Sequence, residues 1–193
     1  MKILYIHGFN SAGYGDKINH LKESFGPENI IAPTLPYQPD KAMKLLGFLT
    51  DSIKDKDKLY IFGTSLGGFY ALYLADKFKI KAVLINPSID PYKSFQKQVG
   101  PQKNFKTGEE YFFSQENLES LKNFYVKDLS SLKNLVNVYL DEEDELLDSK
   151  ETAKYFDGFH VVMYPGGNHR FTHMKELIED FKKMEALSLW SRK

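Results

Sequence analysis

Residues 59–70 read Leu59-Tyr60-Ile61-Phe62-Gly63-Thr64-Ser65-Leu66-Gly67-Gly68-Phe69-Tyr70. Four large apolar or aromatic residues run into a Gly-x-Ser-x-Gly turn, and the turn opens an apolar helix. Strand, sharp turn and helix in that order are the context in which this pattern carries chemistry, because the turn lifts a serine hydroxyl above the end of a sheet. Glycines two before and two after Ser65 let the chain fold sharply and pack closely. The competing reading is a glycine-rich helix start that merely packs, or that holds an anion on its free amides. A phosphate-binding P-loop is excluded, since no Gly-Lys-Ser/Thr triplet follows the strand.

The pattern outside this stretch supports the same architecture. Short apolar runs at 3–6, 29–32, 58–62, 81–85, 135–140 and 159–163 read as strands. Segments 16–25, 39–54, 66–77, 149–156 and 172–187 carry apolar residues at helical spacing. Pro39 suits a first helical turn and Asp40 the positive end of the helix dipole. Strands alternating with helices imply right-handed crossovers and a parallel sheet covered on both faces. The expected fold is therefore α/β: a doubly wound, mainly parallel six-stranded sheet in spatial order 2-1-3-4-5-6. A chain of 193 residues fits one domain, 1–193.

One connection breaks the rhythm. Between 87 and 134 no strand is expected, only a helix at 114–126, and an insertion of that length reads as a lid or binding loop. Its aromatics Phe95, Phe105, Tyr111, Phe112 and Phe113 either line an acyl pocket or make core. The tail from Ser188 to Lys193 reads as loose, with the packing of Trp190 open.

Composition narrows the function classes. Lys+Arg and Asp+Glu number 26 each, for a net charge of +0. That balance disfavours nucleic-acid binding, which needs a basic excess, and electrostatic membrane binding. Cysteine is absent, which removes disulfides, a thiol nucleophile and Cys-ligated metals. No run is long and apolar enough for a secretory leader or a spanning helix. The expected location is cytoplasmic, the expected partner a small-molecule substrate, and no cofactor or metal is implied.

The residues that would serve Ser65 can be sought by position. His7-Gly8-Phe9-Asn10 follows the first strand. The amides of Phe9 and Leu66 are the natural pair of oxyanion donors, with Gly8 permitting the turn and His7 orienting the loop. Five histidines exist. His169, in Pro165-Gly166-Gly167-Asn168-His169, sits in a turn after the sixth strand, on the same side of the sheet as Ser65. His160 lies in a strand and His20 on a helix, so both read as structural. His169 and His173 are four apart, but the stretch lacks the Glu of the zinc-protease helix motif. The acid lies between Ser65 and His169 in chain order. There, 141–148 holds six carboxylates in eight residues. Asp141 ends a strand, Asp144 lies on the loop, and Asp148 caps the next helix. Asp90 is a further alternative, and spacing leaves the choice open.

With these residues in view, the chain resembles the small bacterial α/β-hydrolase esterases of the YqiA type, family UPF0227. The resemblance covers nearly the whole sequence. It is carried by Leu4-Tyr5-Ile6-His7-Gly8-Phe9-Asn10-Ser11, Pro33-Thr34-Leu35-Pro36, Gly63-Thr64-Ser65-Leu66-Gly67-Gly68 and Asn86-Pro87. It continues through Thr107-Gly108-Glu109-Glu110-Tyr111, Asp144-Glu145-Leu146-Leu147-Asp148 and Gly166-Gly167-Asn168-His169. It implies a minimal α/β-hydrolase in which Ser65 is nucleophile, His169 base and Asp144 acid. Glu143 departs from the glycine usual before that Asp. The implied activity is hydrolysis of small carboxylic esters through an acyl-enzyme. A thioesterase or acyl-transfer enzyme on the same triad, and a non-catalytic binding protein on the same fold, are the alternatives.

Overall fold

The computed structural model describes residues 1–190, with side chains through Ala186. The last helix runs through Trp190, where a loose tail was expected from Ser188; the Trp190 side chain and residues 191–193 lie outside the described residues. Six parallel strands form the main sheet: β1 (Lys2–Ile6), β2 (Ile30–Ile31), β3 (Leu59–Thr64), β4 (Ala82–Ile85), β7 (Val136–Asp141) and β8 (His160–Tyr164). Their spatial order is β2-β1-β3-β4-β7-β8, the expected order once a separate hairpin is counted. No helix among the described residues is long and apolar enough to cross a membrane.

Side chains along a strand alternate between the two faces of the sheet, and this sorts the core in two. Leu4, Ile6, Ile61, Leu84 and Val138 join one buried cluster with α2 (Pro39–Lys54) and α3 (Leu66–Phe78). Ile3, Tyr5, Tyr60, Phe62, Val83 and Tyr139 join the other, with α1 (Asp16–Phe25) and α7 (Met174–Trp190). The continuous apolar runs legible in the sequence are what a sheet buried on both faces requires. Pro39 and Asp40 open α2 as expected. Asp148 caps α6 (Ser149–Tyr155), accepting from the Lys150 and Glu151 amides.

The insertion corrects the reading of 87–134. It contains two strands, β5 (Gly100–Lys103) and β6 (Glu110–Phe113), paired as an antiparallel hairpin. Gly100-Pro101-Gln102-Lys103 has no apolar run, so its strand character comes from its partner. The helix expected at 114–126 is shorter. After α4 (Pro91–Ser94), α5 spans Gln115–Ser120, capped by Ser114, and the chain tightens into a 3₁₀ turn at Leu121–Phe124.

At the opposite end of the sheet from the serine turn, Glu185 of α7 ties the last helix to the strands. It accepts from Lys58 at 2.7 Å, from Lys81 at 2.6 Å and from the Tyr60 hydroxyl. Burial by itself raises its pKa, but these three donors outweigh it and bring the carboxyl down to about 2. An unfolded Glu titrates near ~4.3, so this contribution is complete above that pH and is lost as pH falls towards 2. Lys58 and Lys81 remain partly in water, which discounts the interaction. Glu185→Gln is expected to cost about 1–2 kcal/mol at pH 7. In urea unfolding at a series of pH values, that difference shrinks below pH 4.

Candidate active site

The strand order reverses direction between β1 and β3, where open α/β sheets bind ligands beyond their strand ends. The two strands are last paired at Ile6↔Gly63, so the His7–Asn10 loop leaves the sheet beside the Ser65 turn. A Cβ on Gly8 would stand 3.2 Å from that of Ser65. Ser65 itself has φ 55° and ψ −121°, a conformation costing a non-glycine residue on the order of 1–3 kcal/mol. Ladder-like bonds hold it there: its amide donates to Ile85 O (3.0 Å), and its carbonyl accepts from the amides of Gly68 (2.9 Å) and Ser88 (3.1 Å). The flanking glycines are demanded by close approach. A Cβ on Gly63 would collide with the Gly67 carbonyl, and one on Gly67 with the Ile6 carbonyl.

His169 arrives from the loop after β8, three strands away. Its Nε2 lies 3.0 Å from Ser65 Oγ, and its Nδ1 lies 2.8 and 3.0 Å from the two Asp144 oxygens. A carboxylate can only accept, so Nδ1 carries the proton and Nε2 is free to accept from the serine. The Asp144 side chain is 2% exposed. Its Oδ1 also accepts from the Leu146 and Leu147 amides at 2.9 Å each, which aims the carboxylate. Glu145 accepts from the His169 amide (2.9 Å), and that bond lowers the Glu145 pKa. Glu143 is exposed, and its amide donates to Gly166 O in the His169 loop (3.0 Å).

The structure separates the other carboxylates. Asp90 caps α4 through the Lys93 amide (3.1 Å) and takes the Tyr125 hydroxyl. Asp141 is fully buried and accepts four bonds from the segment around His169: the Asn168 amide (3.1 Å), the Thr172 amide (2.7 Å) and hydroxyl (3.2 Å), and His173 Nδ1 (2.7 Å). Its own amide donates to Asn86 Oδ1 (2.9 Å), and Asn86 Nδ2 donates to Asn168 O (3.0 Å). Sequence reasoning missed this network. Asn86-Pro87 at a strand end marked the position of Asn86 without its role, and the charge run hid Asp141.

The remaining histidines are occupied. His173 stacks on Tyr164 at 4.8 Å as well as bonding Asp141, so it and His169 face different carboxylates. His160 pairs with Asp180 at 2.9 Å, and His20 lies 3.8 Å from Glu23. His7 lies on the loop it was expected to orient: Nδ1 donates to Gly8 O (2.8 Å) and Nε2 accepts from the Leu35 amide (3.0 Å). Burial lowers its pKa, consistent with the neutral ring these two bonds require.

The Phe9 and Leu66 amides have no backbone acceptor among the described residues, and Leu66 opens α3, where an amide has none within its helix. The insertion braces this loop. The Phe105 amide donates to Asn10 O (3.1 Å), Asn104 Nδ2 donates to Ser11 O (2.8 Å), and the Tyr111 hydroxyl donates to Asn10 Oδ1. The Phe9 ring packs on Phe95 (4.9 Å) and edge-on to Phe113 (5.4 Å). Phe113 is core, whereas Phe105 and Phe112 are exposed.

The model of the uncharacterised protein family UPF0227 matches residues 2–186. The chain belongs to the UPF0227 family. A UPF0227 protein of Pasteurella multocida is 25% identical over 190 residues, covering 94% of this chain and 99% of its own. UPF0227 protein YcfP of Salmonella paratyphi A is 24% identical over 197 residues, covering 96% and 99%. Among solved structures, Est1E from Butyrivibrio proteoclasticus superposes with a TM-score of 0.75 at 12% identity, over 97% of this chain and 87% of that one. Mouse alpha/beta hydrolase domain-containing protein 10 gives 0.71 at 16% identity, over 96% and 89%. The fold of this UPF0227 member is that of the α/β hydrolases.

Removing the fully buried Asp141 carboxylate would leave the part-buried donors on Asn168, Thr172 and His173 without their acceptor. Asp141→Ala is expected to cost about 3 kcal/mol in denaturant unfolding. Asp148→Ala, which removes only a helix cap, is expected to cost about 1 kcal/mol.

Proposed function

We propose that this protein is a serine hydrolase that cleaves small carboxylic esters through an acyl-enzyme. The observation that carries the reading is the unbroken line from Ser65 Oγ through both ring nitrogens of His169 to Asp144, with contacts of 3.0 and 2.8 Å. The same fold in a monoacylglycerol lipase of Paleococcus ferrophilus and in Est1E with bound ferulic acid is compatible with ester chemistry.

In this mechanism His169 Nε2 takes the Ser65 proton as Oγ bonds to the ester carbonyl carbon. The carbonyl oxygen becomes an oxyanion held by the Phe9 and Leu66 amides. A donor in such a position is typically worth ~10²–10³ in rate. Collapse breaks the bond to the alkoxy oxygen, which receives the proton from Nε2 and leaves as alcohol. Water then attacks the acyl-enzyme and gives one proton to Nε2, and Ser65 departs with that proton as the acid is released. Asp144 stays ionised throughout, holding the ring in one tautomer and stabilising its charged form.

Ser65→Ala is expected to abolish hydrolysis of p-nitrophenyl acetate while leaving the thermal unfolding transition in place. Asp144→Asn is expected to lower kcat by ~10³–10⁴, because the amide favours the wrong tautomer. Asp148→Asn should leave kcat within a few-fold. Retention of most activity in Ser65→Ala overturns the reading, and equal losses in the two Asp variants overturn the choice of acid.

A further inference from the structure

Beside Ser65 lies a small cavity bounded by Phe9, Leu35, Pro36, Tyr37, Leu66 and Tyr70. It includes both proposed oxyanion donors, and Gly8, also on its wall, abuts Ser65. Its volume is about 30 Å³, room for one or two groups of the size of water. No residue of the loops that carry Asp144 and His169 lines it. That placement decides which half of an ester it receives. The leaving oxygen must face His169 Nε2 to be protonated, so the substituent directed away from His169 is the acyl group.

The polar walls of this cavity are largely committed elsewhere. Both nitrogens of His7 are bonded. The Asn10 amide holds Gln102 and Tyr111, and the Asn104 amide holds Ser11 O and the Lys106 and Thr107 amides. Tyr70 differs from the bonded groups, and from the Ser11 and Tyr37 hydroxyls and the Glu109 carboxylate on the same wall, which reach solvent, in being enclosed. It is 2% exposed, and its hydroxyl forms no hydrogen bond among the described residues. Burial, with the charge of Asp40 adding to it, pushes its pKa up, so it stays a protonated donor. Buried hydroxyls are normally paired. The enclosed hydroxyl of Ser88 is also unpaired, but Ser88 does not line the cavity.

We propose that this cavity is a subsite for acyl groups of two or three carbons bearing a hydroxyl on C2 or C3, or a keto oxygen on C2 of a three-carbon chain, which the Tyr70 hydroxyl recognises. The proposal rests on the serine-hydrolase reading. Tyr70 is a specificity residue here: a polar acyl group pairs its hydroxyl, and an alkyl group of equal size leaves it unpaired. Sites built to bond a substrate hydroxyl discriminate strongly against its absence for this reason.

The test compares esters of matched shape by pH-stat: methyl glycolate with methyl propionate, and methyl 3-hydroxypropionate with methyl butyrate. Hydroxyl-bearing esters are intrinsically more reactive, so each kcat/KM ratio is measured in wild type and in Tyr70→Phe, where that difference cancels. For at least one pair the ratio is expected to fall about tenfold in Tyr70→Phe. A measurement on the wild-type enzyme alone stands beside it: glycolate should inhibit about tenfold more tightly than propionate. Across p-nitrophenyl acetate, butyrate and hexanoate, kcat/KM should fall at least tenfold, because the cavity does not hold a longer chain. Fluorophosphonate labelling of wild type, absent in Ser65→Ala, reports the activated serine separately. Labelling with unchanged ratios in both pairs and equal inhibition by the two acids overturns the Tyr70 assignment and leaves the hydrolase reading standing. Equal rates on acetate and hexanoate overturn the short-acyl limit. No labelling and no cleavage of any ester overturns both readings.

Discussion

The spacing of parallel strands is the constraint on which this site depends. Neighbouring strands lie ~4.8 Å apart, so β3 and β8, three steps apart in the sheet, end about 14 Å from one another. A histidine delivered by the loop after β8 reaches a serine at the end of β3 only if its loop folds back over β7 and β4. Asp141 and Asn86, at the ends of those two intervening strands, hold it there. The buried carboxylate of Asp141 takes four donors from the loop, and Asn86 links Asp141 to the Asn168 carbonyl. A buried carboxylate is costly unless it is fully hydrogen-bonded. The loop that supplies those bonds is the one that carries His169 to Ser65.

The second half of the site has a brace of a different kind. The His7–Asn10 loop lies beside Ser65 by strand register, but its conformation is secured from the insertion. Aromatic packing on the Phe9 ring and hydrogen bonds to Asn10 and Ser11 come from residues about ninety positions later. The hairpin therefore serves as a support for the proposed oxyanion donors. Preorganised donors stabilise developing charge because they need not be reoriented as it forms. The same hairpin contributes Tyr111, whose ring stacks on Tyr37 at 4.1 Å and bounds the small cavity, so one element joins donor geometry to pocket size.

Legibility followed the range of the interactions. The six main strands and the long helices could be read because burial on two faces imposes continuous apolar runs, and burial on one face imposes helical spacing. Pro39 and the Asp148 cap could be read because they act within one turn. The hairpin could not: Gly100–Lys103 becomes a strand by pairing with Glu110–Phe113, and only the alternation of Tyr111 and Phe113 hinted at it. Asp144 could be placed among six carboxylates only through the family resemblance, since charge runs look alike whichever member turns inward. Asp141 was legible only as one more carboxylate, because the donors that surround it come from a loop that begins over twenty residues later.

The order of residues along this chain was enough to determine the sheet, the sharp serine turn, and a histidine and a group of carboxylates on loops at one end of that sheet. Those features rest on local backbone preference and on hydrophobic periodicity, both of which are written in neighbouring residues. Which carboxylate meets His169, how the insertion holds Phe9 and Asn10, and why Tyr70 faces a cavity unpaired were decided only in three dimensions. Each depends on contacts between segments remote in sequence, where burial and hydrogen-bond geometry choose among residues that are chemically alike.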